Sequence, residues 1–279
     1  MREYFPGLFY RTLGFLTLLS LPVLAQRPVL LTESVFTSGA HKVDLYVGAE
    51  YFKKSTATFP NTAESLTRLA MVGWHQGVAE NVNIDLDWRG YLFATLGNGT
   101  RVNDWGDLTI STRVRIVNEK MNVPAIGFRT SVKLPNTKFI PHGLGSNQTD
   151  YYGHLLLAKH LGTVETRVNA GFGIVGDPKN IGSQDDVYLL ATAVVVPANS
   201  WLSLFAEVYG LVGYYDDDDK LVARFGSSAY FAGFEWNLYG SARLAGSTID
   251  IGGAFEVSES WGIGFAVKKA LSLDFLQSE

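Results

Sequence analysis

The chain has 279 residues, with 23 Lys or Arg against 27 Asp or Glu, a net charge of −4, and no Cys. The absence of Cys excludes a disulfide framework, a thiolate metal site and a cysteine nucleophile. No basic block or stripe runs along it, so nucleic acid is not an expected partner.

Arg2 and Arg11 form a positive start, an apolar run follows from Thr12 to Leu24, and Val23-Leu24-Ala25 supplies a small residue suited to cleavage. Residues 1–25 are therefore expected to be a secretory signal peptide, with Gln26 opening the mature chain. The run is shorter than the roughly 18 residues a retained membrane anchor needs. No Cys follows the cleavage point, which excludes a lipoprotein. Loss of Arg2, Glu3 and Arg11 with the leader moves the net charge from −4 to −5. Residues 26–41 are too short for a plug domain. They read as a short periplasmic tail, with a segment entering a barrel mouth as the alternative.

From residue 42 onward, alternation of period two dominates. Val43, Leu45, Val47, Ala49 and Tyr51 interleave with Asp44, Tyr46, Gly48 and Glu50. From Val82 to Ala94, the even positions are mostly apolar, while the odd ones are Asn83, Asp85, Asp87, Arg89, Tyr91 and Phe93. The same pattern covers 108–116, 164–174 and 249–257, and weaker versions cover 65–75, 125–134, 151–161, 187–196, 201–213, 228–237 and 261–269. Successive strand side chains point to opposite faces, so each segment has one apolar face. These are twelve expected strands, with ten as the alternative because the carboxy-terminal end is poorly marked.

Strand lengths separate a soluble sandwich from a membrane barrel. Several segments run past 10 residues, whereas soluble strands cluster near about 5–6 and a tilted bilayer-crossing strand needs about 9–11. Charges sit in mid-strand, as a wet lumen allows. Long connections are expected at 53–64, 95–106, 135–150, 176–186 and 214–227, with short ones near 76–81, 117–122, 160–163 and 197–200. That alternation is the rhythm of external loops and periplasmic turns. It fails toward the end, where Gly240–Gly246 is long for a turn and Ser258–Ser260 short for an external loop. Trp105, Tyr151, Tyr152, Trp201, Tyr214, Tyr215 and Trp261 are expected to form aromatic girdles at the two interfaces. The expected fold is all-β, an antiparallel up-and-down transmembrane barrel over 42–279 in a bacterial outer membrane, with lipid around it.

Short motifs add a resemblance. Trp105-Gly106-Asp107-Leu108, then Val123-Pro124-Ala125-Ile126-Gly127 through Lys133-Leu134-Pro135, resemble the outer-membrane family named for the MetA pathway of phenol degradation. Ala232-Gly233-Phe234 and a closing hairpin from Ile249 to Val267 look similar too. The family usually continues Lys-x-Pro with Thr-Gly, where this chain has Asn136-Thr137, and the chain runs past Phe275 to Glu279. The resemblance implies a transporter-like barrel for uptake of small, aromatic compounds and carries over no catalytic residue.

Candidate lumen-lining residues are Asp85, Asp87, Arg89, Arg113, Arg115, Arg129, Lys133, Glu165, Arg167 and Glu207, with Tyr91, Phe93, Phe205 and Tyr209 as further selectivity residues. Acidic and basic ladders on adjacent strands would set a field across a pore and orient charged permeants. Alternatively, they pair across strands and fill a closed barrel, which then acts through its external loops. Asp216–Asp219 followed by Lys220 reads as a solvated loop tip, with a Ca²⁺ site as the sharper alternative. His154 and His160 lie six residues apart, roughly 20 Å along a strand, too far to share a metal. His75 and His142 have no local Ser or acid partner. No cofactor, metal or enzymatic activity is expected; an outer-membrane hydrolase with a dispersed triad is the remote alternative.

Overall fold

The period-two alternation becomes a closed antiparallel wall in the computed structural model, which describes residues 30–55, 63–141, 143–178, 180, 182–212, 220–245 and 256–273. The first half holds β1 (Lys42–Ser55), β2 (Ala63–Ala79), β3 (Val82–Trp88), β4 (Tyr91–Leu96), β5 (Arg101–Trp105), β6 (Leu108–Val117) and β7 (Ala125–Leu134). The second holds β8 (Asp150–Leu161), β9 (Val164–Gly176), β10 (Gln184–Pro197), β11 (Leu202–Val212), β12 (Lys220–Phe231), β13 (Phe234–Ala245) and β14 (Glu256–Ser272). β3 and β4 share the same edge of β2, β6 pairs with β3, and β5 pairs with β4. β3 with β4, and β5 with β6, are therefore each one wall strand interrupted, so fourteen elements make a barrel of twelve. β1 pairs with both β2 and β14, which closes it without an edge. Residues 1–25, expected to be a signal peptide, lie outside the described residues, as do His142, Tyr214, Tyr215, Asp216–Asp219 and Phe275.

The faces are inverted relative to a soluble protein. On β3, Asn83 and Asp85 are 0% and 1% exposed, while Ile84 and Leu86 between them are 41% and 38% exposed. Val47, Val72, Trp74, Ile110, Val168, Phe172, Leu190, Leu204, Phe225, Leu238 and Ile263 continue that exposed apolar band around the wall. A band of this size would be an aggregation surface in water and is the outer face a hydrocarbon layer requires.

Among the described residues, the alternation changes phase at a level shared by three neighbouring strands. On β2 the inward residues are Leu66 and Arg68 and then Gly73 and His75; on β3 and β4 they are Asn83, Asp85 and Asp87 and then Leu92 and Ala94. On β5 and β6 the switch lies between Val102 and Ser111. Ala70 has φ +54° and Gly90 has φ +74°, and a Cβ on Gly90 would lie 2.1 Å from the Leu69 carbonyl oxygen. In place of the ladder, the Arg89 N–H donates to Asp107 O (3.0 Å) and the Gly106 N–H to Gly90 O (2.6 Å). This bulge overturns the expectation that Tyr91 and Phe93 line the lumen. Beyond it they turn outward and pack edge-to-face, 4.9 Å apart, with Trp105 5.0 Å from Tyr91.

Connections differ from expectation where local chemistry was quiet. The long loop expected at 95–106 is mostly strand: β4 and β5 meet through a tight turn in which Leu96 N–H donates to Thr100 O (2.9 Å). The strand expected at 228–237 straddles a turn at Ala232 (φ +52°) and Gly233 (φ +77°), with Phe231 paired to Phe234. Gly240 lies within β13 and Ser258–Ser260 within β14, so β11, β12, β13 and β14 continue the long–short rhythm to the end.

Candidate functional site: the charged lumen

Inward residues of the wall meet a stretch of chain that comes before it. Residues 30–38 run inside the barrel, held by donors and acceptors from widely separated strands. Glu207 of β11 accepts the N–H groups of Leu31 (3.0 Å) and Thr32 (2.7 Å). Arg167 of β9 donates to Thr32 O (3.3 Å), and Arg113 of β6 donates to Ser34 O (2.9 Å). Asn169, with its amide turned to satisfy both ends, accepts from Glu33 N (2.8 Å) and donates to Glu33 O (3.1 Å). Ser34 Oγ donates to Glu165 (3.4 Å), Ser38 N–H to Asn83 (3.1 Å) and Ser38 Oγ to Asp44 (2.9 Å). Val35 packs with Ala125, Leu156 and Ala158, and Leu30 with Val195, Phe205 and Tyr239. An irregular segment within a protein must find partners for its backbone groups, and here wall side chains supply them.

A cavity of about 580 Å³ opens beside this segment. Its walls carry Glu50, Arg68, His75, Asp87, Arg89, Arg113, Arg129, Lys133, Asp150, Arg167 and Arg224, with Thr137 and Leu144 from the long β7–β8 connection. That connection is stitched inward. Asp107 accepts the N–H groups of Asn136 and Thr137 (2.9 Å each), Thr137 Oγ1 donates to Trp105 O (2.6 Å), and Leu144 packs on inward-facing Leu66 and Leu92. The motif residues Trp105-Gly106-Asp107 and Asn136-Thr137 therefore meet where the ladder between wall strands stops.

Of the ten lumen candidates, Asp87, Arg89, Arg113, Arg129, Lys133 and Arg167 line the cavity. Asp85, Glu165 and Glu207 also face inward, but around the segment: Asp85 accepts from Arg113 (3.0 Å) and Glu165 from Arg167 (2.8 Å). Arg115 does not line the cavity and donates to the Glu80 carbonyl (2.9 Å) at the β2–β3 turn. Phe205 and Tyr209 face inward as expected. Among the girdle candidates, Trp105, Tyr151, Trp201 and Trp261 are exposed, Trp261 packing 5.8 Å from Tyr51. Tyr152 is a correction, because its side chain lines the cavity and its hydroxyl donates to Asp150 (3.2 Å).

Three constellations were not anticipated. Glu50 accepts from Arg68 (2.9 Å), Arg224 (3.2 Å) and the Tyr239 hydroxyl (2.8 Å), and Arg224 lies 4.3 Å over the Tyr239 ring. Asp87 accepts from the Tyr46 hydroxyl (2.7 Å) and contacts His75 Nε2 (2.9 Å). Lys133 pairs with Asp150 (2.5 Å) and donates to Ser146 Oγ (2.7 Å). The alternation in β1 already placed Glu50 on the polar face. Arg68 was hidden by the bulge beside it, and Arg224 by a loop assignment. At the end with the short turns, Glu119 accepts the His160 N–H (2.8 Å) and meets its Nδ1 (2.7 Å) and Lys159 Nζ (3.1 Å). Partial burial opposes it, yet these three donors hold the Glu119 carboxyl down at about 2. His154 faces the cavity and His160 this turn. Among the described residues no group of three or more His, Asp or Glu is placed to hold a metal.

No family model and no curated protein matches the chain. Solved structures do. An outer membrane channel from Pseudomonas putida F1 superposes with a TM-score of 0.63 at 12% identity, over 88% of this chain and 98% of that one. The NanC porin superposes with a TM-score of 0.56 at 11% identity, over 81% of this chain and all of that one. The shared fold is a closed antiparallel transmembrane β-barrel. At these identities the likeness speaks for architecture, and the lumen chemistry has to be argued from this chain's own residues.

Proposed function

We propose that the protein is a channel of the bacterial outer membrane, reached through a cleaved signal peptide, that admits small polar or charged molecules. The observation that carries this reading is the cavity of about 580 Å³ inside a closed wall, lined by Arg68, Arg113, Arg129, Arg167 and Arg224 together with carboxylates. A barrel built only for packing fills such space with side chains. Charged rings instead favour water and select the permeant by its charge. Resemblance to the phenol-degradation family supports aromatic compounds as permeants. Exchange of the segment 30–38 between docked and withdrawn positions is the gate in this reading. The reading assigns the protein no catalysis.

A second reading, a closed barrel acting through its external loops, is favoured by one observation: residues 30–38 fill part of the lumen through side chains of β1, β3, β6, β9 and β11. Single-channel recording in planar bilayers decides between them. The channel reading expects brief openings of the refolded full-length protein and larger, sustained ones after deletion of 30–38. Silence from both proteins would leave the closed barrel.

A further inference from the structure

Arg113 and Arg129 occupy directly opposed positions on β6 and β7. Like charges placed opposite one another on a sheet face repel, so this register needs anionic compensation. The wall supplies only part of it. Asp85 is 3.0 Å from Arg113. Asp87 is 3.9 Å from Arg129 and already serves His75 and Tyr46. The nearest carboxylate to Arg129 comes from outside the wall: Glu33 lies 3.3 Å from Arg129 and 3.6 Å from Arg113, so its two oxygens address two guanidinium groups. Its backbone is gripped by Asn169 on both sides, and its side chain is 24% exposed toward the open lumen. Beside it stands His154, opposite Arg129 in the β7–β8 register, lining the cavity at 6% exposure with Nδ1 unpartnered. A paired guanidinium fork is the geometry that recognises a planar carboxylate.

We propose that Arg113 and Arg129, with His154 beside them, form a carboxylate-binding site of the lumen that the chain's own Glu33 occupies, and that a small organic carboxylate takes when residues 30–38 give way. The physiological meaning of the site rests on the channel reading, whereas its existence does not. Glu33 acts as an internal competitor, so the apparent affinity for a carboxylate is reduced by the fraction of time the segment is docked.

The test is equilibrium binding of 4-fluorobenzoate to full-length protein refolded in detergent, read by fluorine NMR, with 4-fluorobenzyl alcohol as the uncharged control. Glu33→Ala is expected to bind the benzoate at least about tenfold more tightly than the wild type, as removal of a competitor docked nine-tenths of the time requires. Asn169→Ala, which loosens Glu33 without touching its carboxylate, should shift affinity the same way. Adding Arg129→Gln to Glu33→Ala should abolish the gain, and the alcohol should bind all variants alike. Heat-modifiable migration on a detergent gel checks folding in each case. Equal benzoate affinity in the wild type and both single variants would overturn the site, as would a gain that survives loss of Arg129 or that the alcohol shares. A protein that shows the binding pattern but never conducts keeps the site and refutes the channel; one that conducts without the pattern refutes the site alone.

Discussion

The two halves of the lumen solve the same problem in different ways. Toward the end with the short turns, polar and charged wall groups also hold a strand-less piece of the chain itself: Glu207, Arg167, Arg113 and Asn83 all spend hydrogen bonds on residues 31–38. Deeper in, wall charges satisfy one another, as Glu50 does with Arg68 and Arg224, and as Lys133 does with Asp150. Wall-to-wall pairs belong to the barrel and break only when it does. Wall-to-segment pairs belong to an equilibrium that can turn over while the barrel stays folded, because locally opened states sit well below global unfolding.

The largest expected effect separates the two kinds of pair. Glu50→Ala takes the carboxylate from buried Arg68 and leaves Arg224 with only Glu207, 3.6 Å away. It should destabilise the barrel by about 3 kcal/mol, the lower end for a broken buried pair because the lumen admits water; urea unfolding followed by tryptophan fluorescence measures it. Glu207→Ala should act mainly on the segment, because Arg224, 3.6 Å from Glu207, keeps Glu50 at 3.2 Å. It removes two hydrogen bonds to a charged acceptor, each worth about 1.5 kcal/mol or more. Amide exchange at Leu31 and Thr32 should then accelerate by about 100-fold while the unfolding midpoint moves little. If both variants shift the midpoint equally, the division between halves is wrong.

Smaller effects sharpen the picture. Asp107→Ala takes the acceptor from Asn136 and Thr137, and should loosen the β7–β8 connection by about 1–2 kcal/mol without altering exchange at 31–38. The least is a pH effect. Glu119 is held at about 2, below the ordinary 4.5, so its contribution is complete above 4.5 and fades as pH falls from there toward 2. Glu119→Gln should therefore narrow the difference in stability between pH 5 and pH 2.5 seen by thermal unfolding; an unchanged difference would remove Glu119 from the account.

How far these features were legible follows from where period two holds. In β3, β9 and β11, and in β6 up to the irregularity after Arg115, the pairing is continuous, and Asp85, Arg113, Arg167 and Glu207 all face inward as alternation alone requires. Alternation cannot report a bulge that leaves the apolar pattern intact. Leu92 and Ala94 read as lipid-facing because nothing in their composition marks the residue gained at Ala70 and Gly90. The Ala232-Gly233 turn escaped for a related reason: both residues have positive φ, which Asn-Gly would have announced and Ala at the first position does not. Residues 30–38 have no periodicity at all. Their position is set by partners such as Glu207 and Asn83 that are remote in sequence, so only the closed barrel brings the site around Glu33 together.

The central claim is that residues 30–38 lie in the lumen and control passage through it. The chain has no Cys, so a pair introduced at Val35→Cys and Ala125→Cys, which share one packed cluster, is free of competing thiols. Under mild oxidation this pair should cross-link in the folded barrel and suppress single-channel openings, and reduction should restore them. Failure to cross-link, or a cross-linked protein that conducts as the reduced one does, would contradict the account.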